Sequence, residues 1–228
     1  MYISKTHKLA YFATPRCGSN TVHEVIENSG LTSDSDIAFK LSGLDAMINM
    51  ADQVMSPTSQ FTTMLNNYHM TPTRAIQLGH TTAEELTSFT SFSFVRSPLQ
   101  RWVSRVFLAN GIGLWNDEDP VEYLTQFVRM RVNQNPTAAT FSWKMKDYFY
   151  HEGVQVVTPY RFENMGITLP SIIESFEGFC PNPLPKVQPI QQTPDEYKNV
   201  YDWLPQDCID ILTDMMAEDI EFYNSLSE

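Results

Sequence analysis

The sequence predicts an α/β fold, with a mainly parallel central sheet flanked by helices, built as one domain over residues 1–228. Three observations predict it. Short apolar runs bounded by turn residues alternate with amphipathic stretches, the order that a parallel sheet with crossover helices needs. Two of those runs, residues 8–14 and 91–95, pass through a short proline-containing turn directly into helical periodicity. The chain is 228 residues long and 42% hydrophobic, which suffices for a full core.

Residues 8–14 read as a central strand. Val22, Val25 and Ile26 then recur at helical spacing, and Gly30 stops that helix just past its C-cap. Residues 31–36 read as a loop. From 43 to 70 the chain is rich in methionine and modestly helical, with an interruption at Pro57. Methionines there read as core filler rather than a soft-metal site, and the segment as a variable subdomain shaping an acceptor cleft. Residues 74–78 read as a short strand ending at Gly79-His80, and Thr82 with Glu85 as a capping box.

Residues 91–95 give the next strand, after which Ser97 caps a helix with Pro98 at its first position. Leu99, Trp102, Val103, Val106 and Phe107 form its apolar face; Gln100, Arg101, Ser104 and Arg105 lie opposite. Residues 119–130 read as a further helix, 136–151 show no clear period, and 154–157 read as a strand. A helical run over 162–179 is broken at Pro170, and 181–186 form a rigid connector. From Pro205 a last amphipathic helix carries Ile209, Leu212, Met216, Ile220 and Tyr223 on one face.

The chain is organised around the turn that follows its first long apolar run, Thr14-Pro15-Arg16-Cys17-Gly18-Ser19-Asn20-Thr21. A strand, a tight loop and a helix N-terminus in that order make an anion pocket. The first helical N–H groups have no partner within the helix, and the helix dipole favours negative charge there. Gly18 allows close backbone approach, Asn20 and Thr21 add side-chain donors, and Arg16 adds a permanent cation. Phosphate or sulfate is the expected ligand. The loop is neither G-x-x-x-x-G-K-[ST] nor G-x-G-x-x-G, and by itself it reads equally well as an ordinary strand-to-helix turn.

A second stretch answers it about 80 residues on, Phe92-Ser93-Phe94-Val95-Arg96-Ser97-Pro98-Leu99-Gln100-Arg101-Trp102-Val103-Ser104. With both stretches in view the sequence resembles the sulfotransferases that use 3′-phosphoadenosine 5′-phosphosulfate (PAPS). The likeness is to the carbohydrate-type branch, heparan 2-O- and uronyl-like enzymes, as a soluble microbial or viral relative. That family opens with roughly P-[KR]-x-G-[ST]-[ST]-[ST] and continues with F-x-x-R-x-P-x-x-R-x-x-S. The resemblance implies a P-loop-NTPase-like sulfotransferase fold, PAPS as co-substrate, 3′,5′-ADP (PAP) as product and no metal.

By the same resemblance Pro15, Arg16, Cys17, Gly18, Ser19, Asn20 and Thr21 bind the 5′-phosphosulfate, and Arg96, Arg101 and Ser104 the 3′-phosphate. Arg101 divides evenly between that role and a salt bridge tying its helix to the sheet. Relatives often carry Lys where Arg16 stands; because Arg does not give up its proton, the role of Arg16 is electrostatic alone. Gly79-His80 resembles the Gly-His that carries the base in uronyl 2-O-sulfotransferases. His80 is therefore the candidate base for the acceptor hydroxyl, and Glu24 its rival. Residues 160–164 resemble a structural family segment, and 186–193 either fold over the nucleotide or form a loose loop.

Composition narrows the alternatives. A net charge of −12 argues against nucleic acid or an anionic membrane as partner, yet four of the arginines, Arg16, Arg96, Arg101 and Arg105, sit in the two motifs. No apolar run approaches a membrane span and the first residues lack a signal-peptide core, so a cytoplasmic location is expected. Three cysteines without C-x-x-C spacing fit a reducing compartment; Cys17 either fills a small slot or carries a reactive thiol. The expected acceptor is a hydroxyl compound, a carbohydrate first of all. The rival readings are a kinase-like phosphotransferase, which lacks its Gly-Lys pair here, and a non-catalytic nucleotide-binding module.

Overall fold

Tyr2–Ser4 (β1) turns back through residues 5–8 and pairs antiparallel with Leu9–Tyr11 (β2), placing Tyr2 opposite Tyr11. All six residues are buried, and Lys8 takes the left-handed conformation (φ 51°) that closes the turn. This computed structural model describes residues 1–33, 35–39, 67–111, 119–132, 144–176 and 195–226. They divide into two compact units, Met1–Val95 with Lys146–Ile190 and Glu228, and Arg96–Met145 with Gln191–Ser227.

The first unit holds a five-stranded sheet of order β3-β1-β2-β4-β7, with Ile37–Ala38 as β3, Thr90–Val95 as β4 and Thr158–Arg161 as β7. β2, β4 and β7 run parallel, while β1 is antiparallel to both β2 and β3. The class is α/β as expected, but the sheet is mixed and only its core is parallel. The antiparallel pairs come from the Tyr2-Ile3-Ser4 strand and from Ile37-Ala38, which were too short to register as period-2 runs. Phe92 and Phe94 of β4 enter one core with Tyr11, Val22, Val25, Ile26, Leu169 and Ile173.

Three sequence expectations for this unit are corrected. Residues 74–78 belong to a helix, α2 (Pro72–Gln77), not to a strand. Thr71 caps it by accepting from the Arg74 N–H, with Pro72 at the first helical position. Of residues 154–157 only Val154–Gln155 form a strand, outside the five-stranded sheet. Tyr150–His151 (β5) and Val154–Gln155 (β6) form a separate hairpin, and Val156 and Val157 both donate to Phe149 O before β7 begins. Pro170 does not break its helix, which runs unbroken as Met165–Glu174. The carbonyl it leaves unbonded is that of Gly166, an exposed position open to water.

The remaining helices here are Ser19–Asn28 (α1) and Ala83–Ser88 (α3). The latter has the expected reciprocal Thr82–Glu85 capping box. In the second unit Pro98–Gly111 (α4) carries the expected apolar face, burying Leu99, Trp102 and Val103. Pro120–Phe127 (α5) is capped by Asp119 and continues as a π turn, Val128–Val132. Met165–Glu174 is numbered α6. The expected last helix is two, Gln206–Met215 (α7) and Ala217–Ser225 (α8), hinged at Met216. Leu212 and Met216 lie in the core, and Ile220 of α8 packs against it. The readings at 43–66, 136–143 and 177–194 lie outside the described residues.

Candidate active site

The loop after β2 has the geometry that the anion reading requires. Phe12 N–H donates to Phe92 O at 3.1 Å, extending the β2–β4 pairing by one residue before the chain leaves the sheet. The buried Thr14 and Ser93 hydroxyls meet at 2.9 Å and fasten the loop to β4. Arg16 is left-handed at φ 65° and Gly18 at φ 75°. A left-handed arginine costs roughly 1–2 kcal/mol relative to the right-handed form, so the surrounding structure holds it there.

Gly18 is the N-cap of α1, with no side-chain cap and no acidic residue in the first turn. The first intrahelical bond is Val22 N–H to Gly18 O at 3.2 Å, so the Ser19, Asn20 and Thr21 amides are the helix's open donors. A Cβ on Gly18 would lie 2.7 Å from Met165 Cε and 2.8 Å from Phe162 Cε2. Residues 160–165 therefore buttress the loop from below, as the structural reading of that segment expects. Cys17 is fully buried with Sγ on Pro15 O at 3.5 Å, which is the small-slot reading.

A neighbour that the sequence did not connect to this loop is the segment Tyr68-His69. Tyr68 OH donates to Asn20 Oδ1 at 2.7 Å, and its ring stacks on His23 at 5.3 Å. Burial pushes the phenol up to about 12, against the opposing pull of Ser19 and Arg16, so it stays a donor near neutrality. His69 Nδ1 lies 2.6 Å from Ala13 O, and Tyr148 OH donates to His69 O at 3.0 Å. His23 is buried between Tyr11 and Tyr68, a core position. The long separation of 68–69 from 13–20, across a methionine-rich run of only modest helical pattern, hid this contact. A short Tyr-His pair carries no motif of its own.

The proposed bases sit elsewhere in the same unit. Gly79 (φ 73°) and His80 close α2: Gly79 N–H donates to Ile76 O at 2.9 Å and His80 N–H to Ala75 O at 3.0 Å. These paired bonds are a Schellman cap, so Gly79-His80 follows a helix and not a strand end. The His80 ring lies against Phe39, 5.7 Å between centroids. Glu24 is exposed on α1, on the face away from Val22, Val25 and Ile26.

In the second unit Arg96 and Ser97 lead into α4. Arg96 Nη2 lies 3.5 Å from Gln100 Oε1, and Gln100 Nε2 donates to Lys198 O at 2.6 Å. Ser104 is buried one helical turn past Arg101. Arg101 is 1% exposed and pairs with Asp219 Oδ2 at 3.2 Å, while Asp219 Oδ1 accepts from Met145 N–H at 2.8 Å. The salt bridge therefore ties α4 to α8, not to the sheet as the sequence reading had it.

A family model described as the sulfotransferase family matches residues 1–108, which hold β1 to β4, the 12–18 loop, Tyr68-His69, His80 and the first turns of α4. No curated protein and no solved structure matches the chain. Among the described residues no helix is long and apolar enough to cross a membrane.

Proposed function

We propose that the chain is a sulfotransferase that moves a sulfuryl group from PAPS to a hydroxyl acceptor and releases 3′,5′-ADP. The observation that carries this reading is the uncapped N-terminus of α1, with left-handed Arg16 and Gly18 beside it and no carboxylate in its first turn. Such a loop holds a di-anionic 5′ group with backbone donors and one fixed cation. The match of residues 1–108 to the sulfotransferase family supports the same reading.

Sulfuryl transfer is an in-line displacement in which the protein positions the partners and stabilises charge on the leaving phosphate. Arg16 is assigned that charge, with the Gly18–Thr21 donors on the 5′-phosphate and Arg96 and Ser104 on the 3′-phosphate. A carbohydrate is the acceptor class proposed, and the cytosol the proposed compartment. His80 and Glu24, the bases put forward from sequence, compete for the acceptor proton.

Thermal shift with 3′,5′-ADP, 5′-AMP and ATP tests the nucleotide. At about 100 times Kd a ligand that binds only the folded state adds roughly 2.7 kcal/mol, and 3′,5′-ADP alone is expected to reach it in the low micromolar range. Equal shifts from 5′-AMP would remove the 3′-phosphate assignment. A magnesium-dependent ATP shift would replace the reading with a kinase.

A further inference from the structure

We infer that Tyr68, which lies outside both motifs, is a positioning residue of the anion loop: it holds Asn20 so that the carboxamide NH₂, and not its oxygen, is the edge offered to the 5′ group. The inference rests on the sulfotransferase reading above. Three observations carry it. Tyr68 OH donates to Asn20 Oδ1 at 2.7 Å, and Asn20 is the second residue of α1, in the turn whose amides the helix leaves open. The Ser19 side chain bonds the same phenol in the sense that lowers its pKa, so Ser19 is the donor there and the single phenol proton goes to Asn20. Third, the hydroxyl stands on a fixed ring: Tyr68 is 2% exposed and stacks on His23 of α1, 5.3 Å between centroids.

A carboxamide has two unlike edges, and only the N–H edge suits an anion. Asn20 is exposed, and an exposed asparagine without this bond is able to turn either edge outward. With the oxygen held by Tyr68 the choice is made before the ligand arrives, which removes that ordering cost from binding. The same accounting sorts the neighbouring serine. Its hydroxyl has one proton, given to the phenol, so Ser19 serves an anion through its backbone amide. Of Ser19 and Asn20, only Asn20 keeps side-chain protons to give.

The rest of the Tyr68 side chain is core, packed in one cluster with Tyr11, Val22 and Ile26. The hydroxyl is the part that leaves that core and meets the loop, where the charge of Arg16 also reaches it. The chain on its far side is fastened to the same loop, since His69 Nδ1 lies 2.6 Å from Ala13 O. Ring and hydroxyl therefore have separate roles, and a substitution that keeps the ring isolates the second.

The test is calorimetry on the full chain with 3′,5′-ADP and with adenosine 3′-phosphate, which lacks the 5′ group. Tyr68→Phe should bind 3′,5′-ADP about 3–10-fold more weakly, the worth of one neutral hydrogen bond, and adenosine 3′-phosphate as wild type does. Asn20→Ala should show the same selective loss. Ser19→Ala should bind both nucleotides nearly as wild type does, because its hydroxyl proton is already given to Tyr68. Should Tyr68→Phe lose its fold, Asn20→Ala and Ser19→Ala decide by the same comparison. A Tyr68→Phe that binds 3′,5′-ADP at full affinity would overturn the inference. So would equal weakening of both nucleotides, because Tyr68 would then be a core residue alone. A Ser19→Ala loss that matches Asn20→Ala would overturn it as well, since the serine proton would then lie on the ligand. A wild type that binds no 3′,5′-ADP would instead overturn the sulfotransferase reading on which the inference stands.

Discussion

Tyr68 OH donates to Asn20 Oδ1 across 48 residues of chain, and that one bond decides which way the Asn20 carboxamide presents its NH₂. With Oδ1 occupied by the phenol, the Nδ2 donors are the ones left for a ligand at the α1 N-terminus. Tyr68→Phe keeps the ring stacked on His23 and removes the hydroxyl that meets Asn20 and Ser19. PAPS binding is expected to weaken by about 3–10-fold, the worth of one neutral hydrogen bond. In the Asn20→Ala background Tyr68→Phe should add little, since the bond is already gone. A double-mutant cycle by calorimetry checks this, and strictly additive effects would show that Tyr68 does not act through Asn20.

The loop backbone makes two opposite demands on glycine. At Gly18 both φ and space require it, so Gly18→Ala should lose about 2–4 kcal/mol through left-handed strain and collision with Phe162 and Met165. At Arg16 only φ does, so Arg16→Gly should be more stable than Arg16→Ala by roughly 1 kcal/mol. Both Arg16 variants should lose about 10²–10³ in turnover if the guanidinium stabilises the leaving phosphate. Chemical denaturation and turnover, measured on the same three variants, separate backbone strain from charge.

Arg101 and Asp219 bear on how the second motif is read. Asp219→Asn leaves a buried guanidinium short of its counter-ion and should destabilise the protein by about 3 kcal/mol. The preference for 3′,5′-ADP over 5′-AMP should survive, measured below the new melting point. A collapse of that preference in Asp219→Asn, without loss of stability, would return Arg101 to the nucleotide.

Asp36 predicts an acid limb of stability. Its carboxylate accepts from Tyr2 OH and, at 2.7 Å each, from Ser33 N–H and Ser33 Oγ. Partial burial raises its pKa, but the hydrogen bonds from Tyr2 and Ser33 outweigh that and hold it below the ordinary carboxylate range. The folded state therefore binds this proton less readily than the unfolded chain. The stabilisation is complete above about pH 5 and is lost as pH falls through about 4 and below. Asp36→Asn should melt lower than wild type at pH 7 and approach it at pH 3.

Local chemistry was legible in the sequence. The 8–14 run, the Pro-Arg-Cys-Gly turn, the Thr82–Glu85 box, and Pro98 opening a helix with one apolar face each depend on neighbours within a few residues. Each lies where its pattern does, although the strand within the 8–14 run is only Leu9–Tyr11. Non-local contacts were not legible. Tyr2–Ser4 becomes a strand only because β2 and β3 lie on either side of it. Residues 74–78 have strand-like composition but are held helical by the cap at Thr71 and the Schellman close at Gly79. The sequence showed no salt-bridge partner for Arg101; Asp219, 118 residues on, meets it only in the folded chain. His69 had no motif at all. Its 2.6 Å approach to Ala13 O is a relation between residues 56 apart that only the folded chain creates.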